Sequence, residues 1–417
     1  MRIAGGNQLN GEIKVSGAKN LALPALVASI LTSDKMVYEN VPNLADVQSL
    51  LELLHCFGTE INYEDIHTLC LSTQHIKSTV APYDFVRKMR ASILVLGALI
   101  ARCGIATVSL PGGCAIGTRG VDLHIRALEL MGATIAIDNG YIEAKAPNGL
   151  IGCDITFPIV TVTGTENILM AAVLAKGTTR LINAAMEPEV EAFCGLLNKM
   201  GAKISGASTS IITIEGVDAL HGTEFEIIPD RIEAGTYAIA AAVTSGKVFL
   251  KNCKYEHLTS FFETLNLAGI SCEQKDGGVL VSRATEKIQP ISIQTAPYPG
   301  FPTDLQAQYT VLMALANGSS SITENIFENR FMHIPELARM GADITIHGKT
   351  AVVNGVKKLT GAQVMATDLR ASVSLVIAGL VAEGETIVNR LYHLDRGYEN
   401  LEEKLNNCGA RVERFDV

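Results

Sequence analysis

The chemistry of this chain is most exposed at Cys114, in the stretch Ser109-Leu-Pro-Gly-Gly-Cys-Ala-Ile-Gly-Thr-Arg119-Gly-Val-Asp-Leu-His124. Its glycines and proline predict a mobile loop, and they set a thiol close in sequence to a guanidinium. A nearby cation stabilises a thiolate, whereas a bound anion favours the neutral thiol that can donate a proton. The cysteine can therefore serve as acid, base or nucleophile; the plainer alternative is a small buried residue. Three further cations, Lys19, Arg90 and Arg370, stand just before apolar, Ala-rich stretches that read as helices. A carboxylate would suit a helix amino terminus better, so the cations make sense if an anion binds there. Asn20, Glu166-Asn167, Glu233, Asp304 and Asp368 occupy the same position in the pattern, and Glu166 and Glu233 also read as ordinary acidic caps. Arg330 and Arg396 stand in two charged loops, Asn325 to His333 and Asn389 to Gly397, where they suit bidentate binding of phosphate or carboxylate. His333, His393 and Asp395 in those loops read equally well as helix caps.

Such groups need elements to hold them, and those elements repeat. Six times a leucine is followed four residues later by glycine: Leu54/Gly58, Leu128/Gly132, Leu197/Gly201, Leu265/Gly269, Leu337/Gly341 and Leu405/Gly409. This spacing predicts a helix end, a glycine cap and then a strand. The glycines recur about every 70 residues, the size of a small α+β unit used six times. Each unit is expected to open with an apolar helix, at Leu21 to Leu31, Ala91 to Ala101, Ile168 to Ala175, Tyr237 to Val243, Leu305 to Ala316 and Ala371 to Ala382. A strand ending near asparagine follows, then the Leu/Gly helix, then an alternating hairpin such as Ala133 to Ala146.

The sixth unit runs out of chain at Val417. The segment Gln8 to Val15 resembles Lys358 to Met365 and Ala219 to Glu226, which suggests that the amino terminus completes the last unit. The expected division is a domain of residues 21–229 and a second of 1–20 plus 230–417, with hinges at Ser16-Gly17 and Pro229-Asp230 and a cleft between. With 417 residues, 48% of them hydrophobic, two cores are affordable. A net charge of −9 gives no nucleic-acid footprint, and the apolar stretches are too short to span a bilayer. The start of the chain lacks an apolar signal region. Nine cysteines without a CxxC pair suggest reduced thiols in a cytoplasmic protein. No metal-ligand cluster stands out, and no cofactor is expected.

Gly17-Ala-Lys-Asn20, Pro111-Gly-Gly-Cys114 with Arg119, Pro302-Thr-Asp304, Glu328-Asn-Arg330-Phe-Met-His333, Ala366-Thr-Asp-Leu-Arg370 and Asp395-Arg-Gly-Tyr398 closely resemble the UDP-N-acetylglucosamine 1-carboxyvinyltransferases of the EPSP synthase superfamily. The resemblance runs the full length. It implies the inverse α/β barrel of the enolpyruvyl transferases, in two domains of three βαβαββ-type units each, and the first committed step of peptidoglycan precursor synthesis. The implied substrates are phosphoenolpyruvate and UDP-N-acetylglucosamine. Cys114 is then the acid and the group alkylated by fosfomycin, and Asp304 is the base for the sugar hydroxyl. Lys19, Arg119 and Arg396 hold phosphoenolpyruvate, while Asp368 and Arg370 assist elimination and bind the departing phosphate. Asn20, Arg90, Asp304, Ile326 and Phe327 match positions that contact the nucleotide sugar. Arg119, Val121, Asp122, Leu123 and His124, with Thr161, Val162, Thr163 and Gly164, fall near its uridine and diphosphate; Arg330 also joins the substrate set.

Two positions depart from the pattern: Thr161-Val-Thr-Gly164 stands where the family often has Ser-Val-Gly-Ala, and Ala45 where some members have lysine. A transferase acting on shikimate 3-phosphate would share the fold, but its Gly-Asn-Ala-Gly-Thr-Ala-type stretch is absent. A noncatalytic nucleotide binder would need the arginines but not a proton donor and base.

Overall fold

All six Leu/Gly pairs end a helix in the same way. Gly58, Gly132, Gly201, Gly269, Gly341 and Gly409 have φ between 88° and 102°, where a side chain would be penalised. In each, the glycine N–H donates to the carbonyl three residues earlier, from Gly58 to His55 through to Gly409 to Asn406. In five, the next N–H reaches back to the leucine carbonyl, as from Thr59 to Leu54 at 3.2 Å and from Ala133 to Leu128 at 3.0 Å. The two bonds satisfy carbonyls that the helix leaves orphaned and swing the chain into a strand. Glu60–Tyr63, Thr134–Asp138, Lys203–Ser205, Ile270–Lys275, Asp343–His347 and Arg411–Glu413 are those strands.

The computed structural model describes residues 1–111 and 120–415. Among them the strands form six four-stranded sheets of one design. In one, Val80–Ala81 pairs parallel with Ile105–Ser109, which pairs antiparallel with Tyr141–Lys145, which pairs in turn with Thr134–Asp138. The helix Val95–Cys103 lies on the crossover between the parallel strands, and Asp122–Leu130 leads into the hairpin, giving βαβαββ. The sheets of residues 154–215 and 293–354 repeat it with contiguous chain.

The other three sheets borrow a strand from elsewhere in the sequence. Lys35–Glu39 takes its parallel partner from Glu224–Glu226, and Lys247–Lys251 takes its own from Asn10–Lys14. The last sheet is filled by Arg2–Ala4, antiparallel to both Glu385–Asn389 and Arg411–Glu413. This corrects the reading of Gln8 to Val15: that segment opens the fourth sheet, and Arg2–Ala4 completes the sixth. The segments it resembles, around 224–226 and 363–365, are themselves opening parallel strands, so likeness in sequence matched likeness in role.

Contacts divide the described residues into two compact units, 17–111 with 120–228, and 1–16 with 229–415. In the first, the helices Lys19–Ala28, Val95–Cys103 and Val162–Ala172 pack against one another. In the second, Arg231–Val243, Gln306–Ala314 and Ser372–Val381 do so. Residues Leu21 to Ala28 are all buried, which requires a helix apolar on every side, and the sheets with their alternating buried and exposed residues cover these helices.

Three of the six buried helices begin earlier than expected. They start at Lys19, Val162 and Arg231, so Lys19 and Asn20 lie in a first turn, Glu166 and Asn167 in a second turn, and Glu233 is a third residue. Two of those starts are set by side-chain caps that apolar periodicity does not register. Thr161 Oγ1 accepts from the Gly164 N–H at 3.2 Å, and Asp230 Oδ1 accepts from Ile232 and Glu233 at 2.8 and 3.1 Å.

Candidate active site

In residues 1–16 and 229–415, two arginines converge on Asp304. This aspartate sits in the single 3₁₀ turn Thr303–Leu305 that leads into the helix Gln306–Ala314, with its side chain 25% exposed. Arg330 Nη2 donates to Asp304 Oδ1 at 2.6 Å, and Arg370 Nε stands 3.7 Å from Oδ2. Both guanidinium groups are buried. Burial works against the charge of each, but the surrounding carboxylates outweigh it and both are held more firmly protonated than an ordinary arginine; Asp304 leads for Arg330 and Asp230 for Arg370.

The loop carrying Arg330 is organised by Glu324, a buried carboxylate with no role foreseen in the sequence. Its Oε1 accepts from Thr295 Oγ1 and from the Ile326 and Phe327 N–H groups at 2.9, 2.8 and 3.1 Å. Its Oε2 accepts from Thr303 Oγ1 at 2.8 Å, and that hydroxyl in turn accepts from Arg330 Nη1 at 2.9 Å. One carboxylate thus fixes Ile326, Phe327 and the turn bearing Asp304. His333 is wholly buried just before the helix Ile334–Arg339 and makes no side-chain cap; burial first, opposed by Asp368, brings its pKa down to about 4.

Asp368 and Arg370 stand at the entry to Ser372–Val381. Asp368 Oδ1 accepts from the Arg370 and Ala371 N–H groups, both at 2.7 Å, while its carbonyl accepts from the Ser372 hydroxyl. Among the described residues its Oδ2 is buried without a hydrogen bond. Arg370 Nη2 donates to Asp230 Oδ2 and Nη1 to the Gly397 carbonyl, each at 3.2 Å. Arg396 ends the 3₁₀ segment Leu391–Arg396. Asp395 does not cap a helix: it accepts from Arg414 through both oxygens at 2.7 and 3.1 Å.

Ser16 and Glu233 anchor a second, partly buried knot in this unit, also unforeseen. Lys404 Nζ lies 2.6 Å from Glu233 Oε1 and 2.7 Å from Ser16 Oγ. The Ser16 N–H donates to Glu233 Oε2 at 2.6 Å, and its hydroxyl donates to Glu399 at 3.0 Å. Burial raises the Glu233 carboxyl above its ordinary range, with Lys404 opposing.

In the residues 17–111 and 120–228, Lys19 is ion-paired with Asp46, and both side chains are buried. Arg90 opens the 3₁₀ segment Arg90–Leu94 and donates from Nη2 to the Gly120 carbonyl at 3.1 Å. Val121 precedes the helix Asp122–Leu130, whose first turn holds Asp122, Leu123 and His124. Asn167 accepts from the Gly97 N–H at 2.7 Å through Oδ1, so its Nδ2 faces His124 Nδ1 at 2.8 Å. A side chain on Gly97 would collide with Asn167, so the two helices meet through this glycine. Burial, then Arg90, lowers the His124 pKa to about 4, opposed by Asp122. The imidazole is thus neutral, with Nδ1 as acceptor.

Thr161 caps Val162–Ala172, and Val162, Thr163 and Gly164 form its first turn. Glu166, one turn on, is fully buried; burial and then Glu189 and Glu187 raise its carboxyl well above the ordinary range. It acts as neither exposed charge nor cap. Cys114 and Arg119 lie outside the described residues. Among those described, no three His, Cys, Asp or Glu side chains group to hold a metal, and no helix is long and apolar enough to cross a membrane.

Comparison with known proteins bears on what this arrangement does. A family model described as EPSP synthase (3-phosphoshikimate 1-carboxyvinyltransferase) matches residues 3–405. The chain is 56% identical over 416 residues, covering 100% of itself and 99% of the relative, to UDP-N-acetylglucosamine 1-carboxyvinyltransferase of Granulibacter bethesdensis. It is 56% identical over 424 residues to the protein of the same name from Brucella ovis, again covering 100% and 99%. Among solved structures, the enolpyruvyl transferase NikO from Streptomyces tendae is similar with a TM-score of 0.89 and 25% identity, over 98% of this chain and 97% of that one. EPSP synthase from Acinetobacter baumannii is similar in fold, with a TM-score of 0.76 and 17% identity over 99% of both chains.

Proposed function

Because the chain belongs to the EPSP synthase family of enolpyruvyl transferases, we infer that it moves the enolpyruvyl group of phosphoenolpyruvate to the 3-hydroxyl of UDP-N-acetylglucosamine and releases phosphate. The product is the first committed precursor of peptidoglycan. The observation that carries the reading at the level of side chains is the Asp304 carboxylate held by Arg330 and Arg370. A proton acceptor fixed beside two cations suits a reaction in which a hydroxyl is deprotonated next to an anionic partner.

The reaction divides into two stages. In the first, the enol phosphate double bond of phosphoenolpyruvate is protonated at C3 by Cys114 while Asp304 takes the proton of the sugar hydroxyl, whose oxygen bonds to C2. The result is a tetrahedral intermediate that still carries phosphate. In the second, the C2–O bond to phosphate breaks, C3 gives up a proton and the double bond is restored. Lys19, Arg119 and Arg396 hold the phosphoenolpyruvate. Asp368, whose Oδ2 is buried without a hydrogen bond among the described residues, and Arg370 serve the elimination. Arg90, Asn20, Arg330, Ile326 and Phe327 receive the nucleotide sugar, with Val121 to His124 and Thr161 to Gly164 toward its uridine and diphosphate. Among the described residues eight cysteines are free thiols, in keeping with a reducing cytoplasm.

The description of the matching family model favours one alternative, transfer to shikimate 3-phosphate. The test is phosphate release from phosphoenolpyruvate by purified protein with UDP-N-acetylglucosamine, with shikimate 3-phosphate, or with no acceptor. Release with the nucleotide sugar alone supports the reading; release with shikimate 3-phosphate alone replaces it, and none with either overturns both.

A further inference from the structure

Tyr398 closes the Asp395-Arg-Gly-Tyr motif, yet it is 4% exposed and the reaction outlined above gives it no task. Its ring lies under the Arg370 guanidinium, 5.4 Å from the guanidinium carbon to the ring centroid. The preceding carbonyl, that of Gly397, accepts from Arg370 Nη1 at 3.2 Å. A side chain on Gly397 would press on Leu369, so the two segments are closely seated.

The ring is in turn fixed by its hydroxyl. Tyr398 Oη lies 3.0 Å from Thr236 Oγ1 and 3.3 Å from Gln308 Nε2. Thr236 gives its proton to the Ile232 carbonyl at 2.8 Å, so the tyrosine donates to Thr236, and the Gln308 amide reaches both hydroxyls, 3.1 Å from Thr236 Oγ1 and 3.3 Å from Tyr398 Oη. The same Gln308 amide donates to the Asp304 carbonyl at 3.0 Å. Gln308 and Thr236 are buried. One wholly internal network therefore supports the Asp304 backbone from below and the plane of Arg370 from its face, while Asp230 holds that guanidinium at its edge.

We propose that Tyr398 is a positioning residue for the transfer reaction: it touches no substrate and acts by fixing the plane of Arg370 beside Asp304. A cation held against an aromatic face and an edge carboxylate keeps one orientation, which phosphate departure requires of the group that receives it. The inference rests on the functional reading above, since it needs Arg370 to serve the elimination.

The experiment is a double-mutant cycle on the full chain, with phosphate release as the readout and circular dichroism as the check on folding. Tyr398→Leu is expected to lower kcat by about 10-fold or more while the KM for UDP-N-acetylglucosamine stays within about twofold. Tyr398→Phe keeps the ring and is expected to recover most of that loss. In an Arg370→Ala background, Tyr398→Leu should lower kcat no further. If Arg370→Ala fails to fold, Arg370→Lys completes the cycle, and Tyr398→Phe with Tyr398→Leu still separates ring from hydroxyl. Additive losses, or unchanged kcat in Tyr398→Leu, would overturn the proposal while leaving the transferase reading intact. A wild-type protein that releases no phosphate fails that reading first and the proposal with it.

Discussion

Asn167 and His124 meet through a 2.8 Å hydrogen bond in which the ring nitrogen can only accept, because the other end of the amide is committed to the Gly97 N–H. Protonating His124 would place a donor against a donor, and burial opposes the charge as well. The folded-state pKa of about 4 lies below the ordinary 6.5, so the unfolded chain takes up this proton first as pH falls. The stability it contributes is complete above about pH 6.5 and is lost progressively toward pH 4, at about 1.4 kcal/mol per pH unit. His333 behaves alike. Urea unfolding at pH 7, 6 and 5 should show a shallower decline for His124→Gln than for the natural chain; equal slopes would mean that His124 is already charged when folded.

Asp304→Ala should lower kcat by roughly 10²- to 10⁴-fold, the usual worth of a general base. Arg330 and Arg370 keep Thr303 and Asp230 as partners, so the variant should fold. Titration calorimetry should still detect weakened nucleotide-sugar binding. Near-normal kcat would remove Asp304 from its role as base.

Cys114→Ser should lose at least about 100-fold in turnover, because a serine hydroxyl is too weak an acid to replace a thiol. An aspartate at the same position supplies a proton and should keep substantial activity. Both are read by phosphate release under saturating substrates, and full activity in the serine variant would exclude Cys114 as the acid.

Lys404→Met should cost roughly 3 to 5 kcal/mol of stability, since it leaves the buried Glu233 without its cation. Adding Glu233→Gln to it should restore part of the loss. Chemical unfolding of the two single variants and the pair decides this: a pair as unstable as the sum of its parts would show that the charges do not compensate one another.

Gly132→Ala and Gly58→Ala test the helix ends. A Cβ at Gly132 would meet open space, so only the φ of 91° is penalised there, at about 1 to 2 kcal/mol. At Gly58 a Cβ would also stand 2.8 Å from the His75 carbonyl. Gly58→Ala should therefore be the more destabilising in urea, and the reverse order would mean that the loop at His75 yields easily.

What the sequence disclosed was local. A glycine four residues after a leucine carries its own explanation, because the cap needs only that short segment, and all six were legible. So was the hairpin alternation at residues 134–145. Pairings over long separations were legible only in outline: the amino terminus does complete the last sheet, but through Arg2–Ala4 rather than Gln8 to Val15, and nothing near Asn10 marks Lys247–Lys251 as its partner. The same limit hid Glu324, whose task is set by Thr295 and Thr303, and the knot of Ser16, Glu233 and Lys404, whose members lie hundreds of residues apart. Arg370 could be singled out as a cation near a helix start, but its partner Asp230 could not.

The borrowed strands also impose an order on how the molecule is made. Synthesis delivers Arg2–Ala4 and Asn10–Lys14 long before the strands Lys247–Lys251, Glu385–Asn389 and Arg411–Glu413 that they pair with. At about 5 to 20 residues per second, the first of these segments waits on the order of 20 to 80 s for its neighbours to leave the ribosome. Lys35–Glu39 likewise lacks its parallel neighbour until residue 226 has emerged. Residues 17–228 can finish as soon as that strand arrives; in the remainder Asn10–Lys14 waits only for Lys247–Lys251, whereas Arg2–Ala4 stays without both of its neighbours until the chain is almost complete.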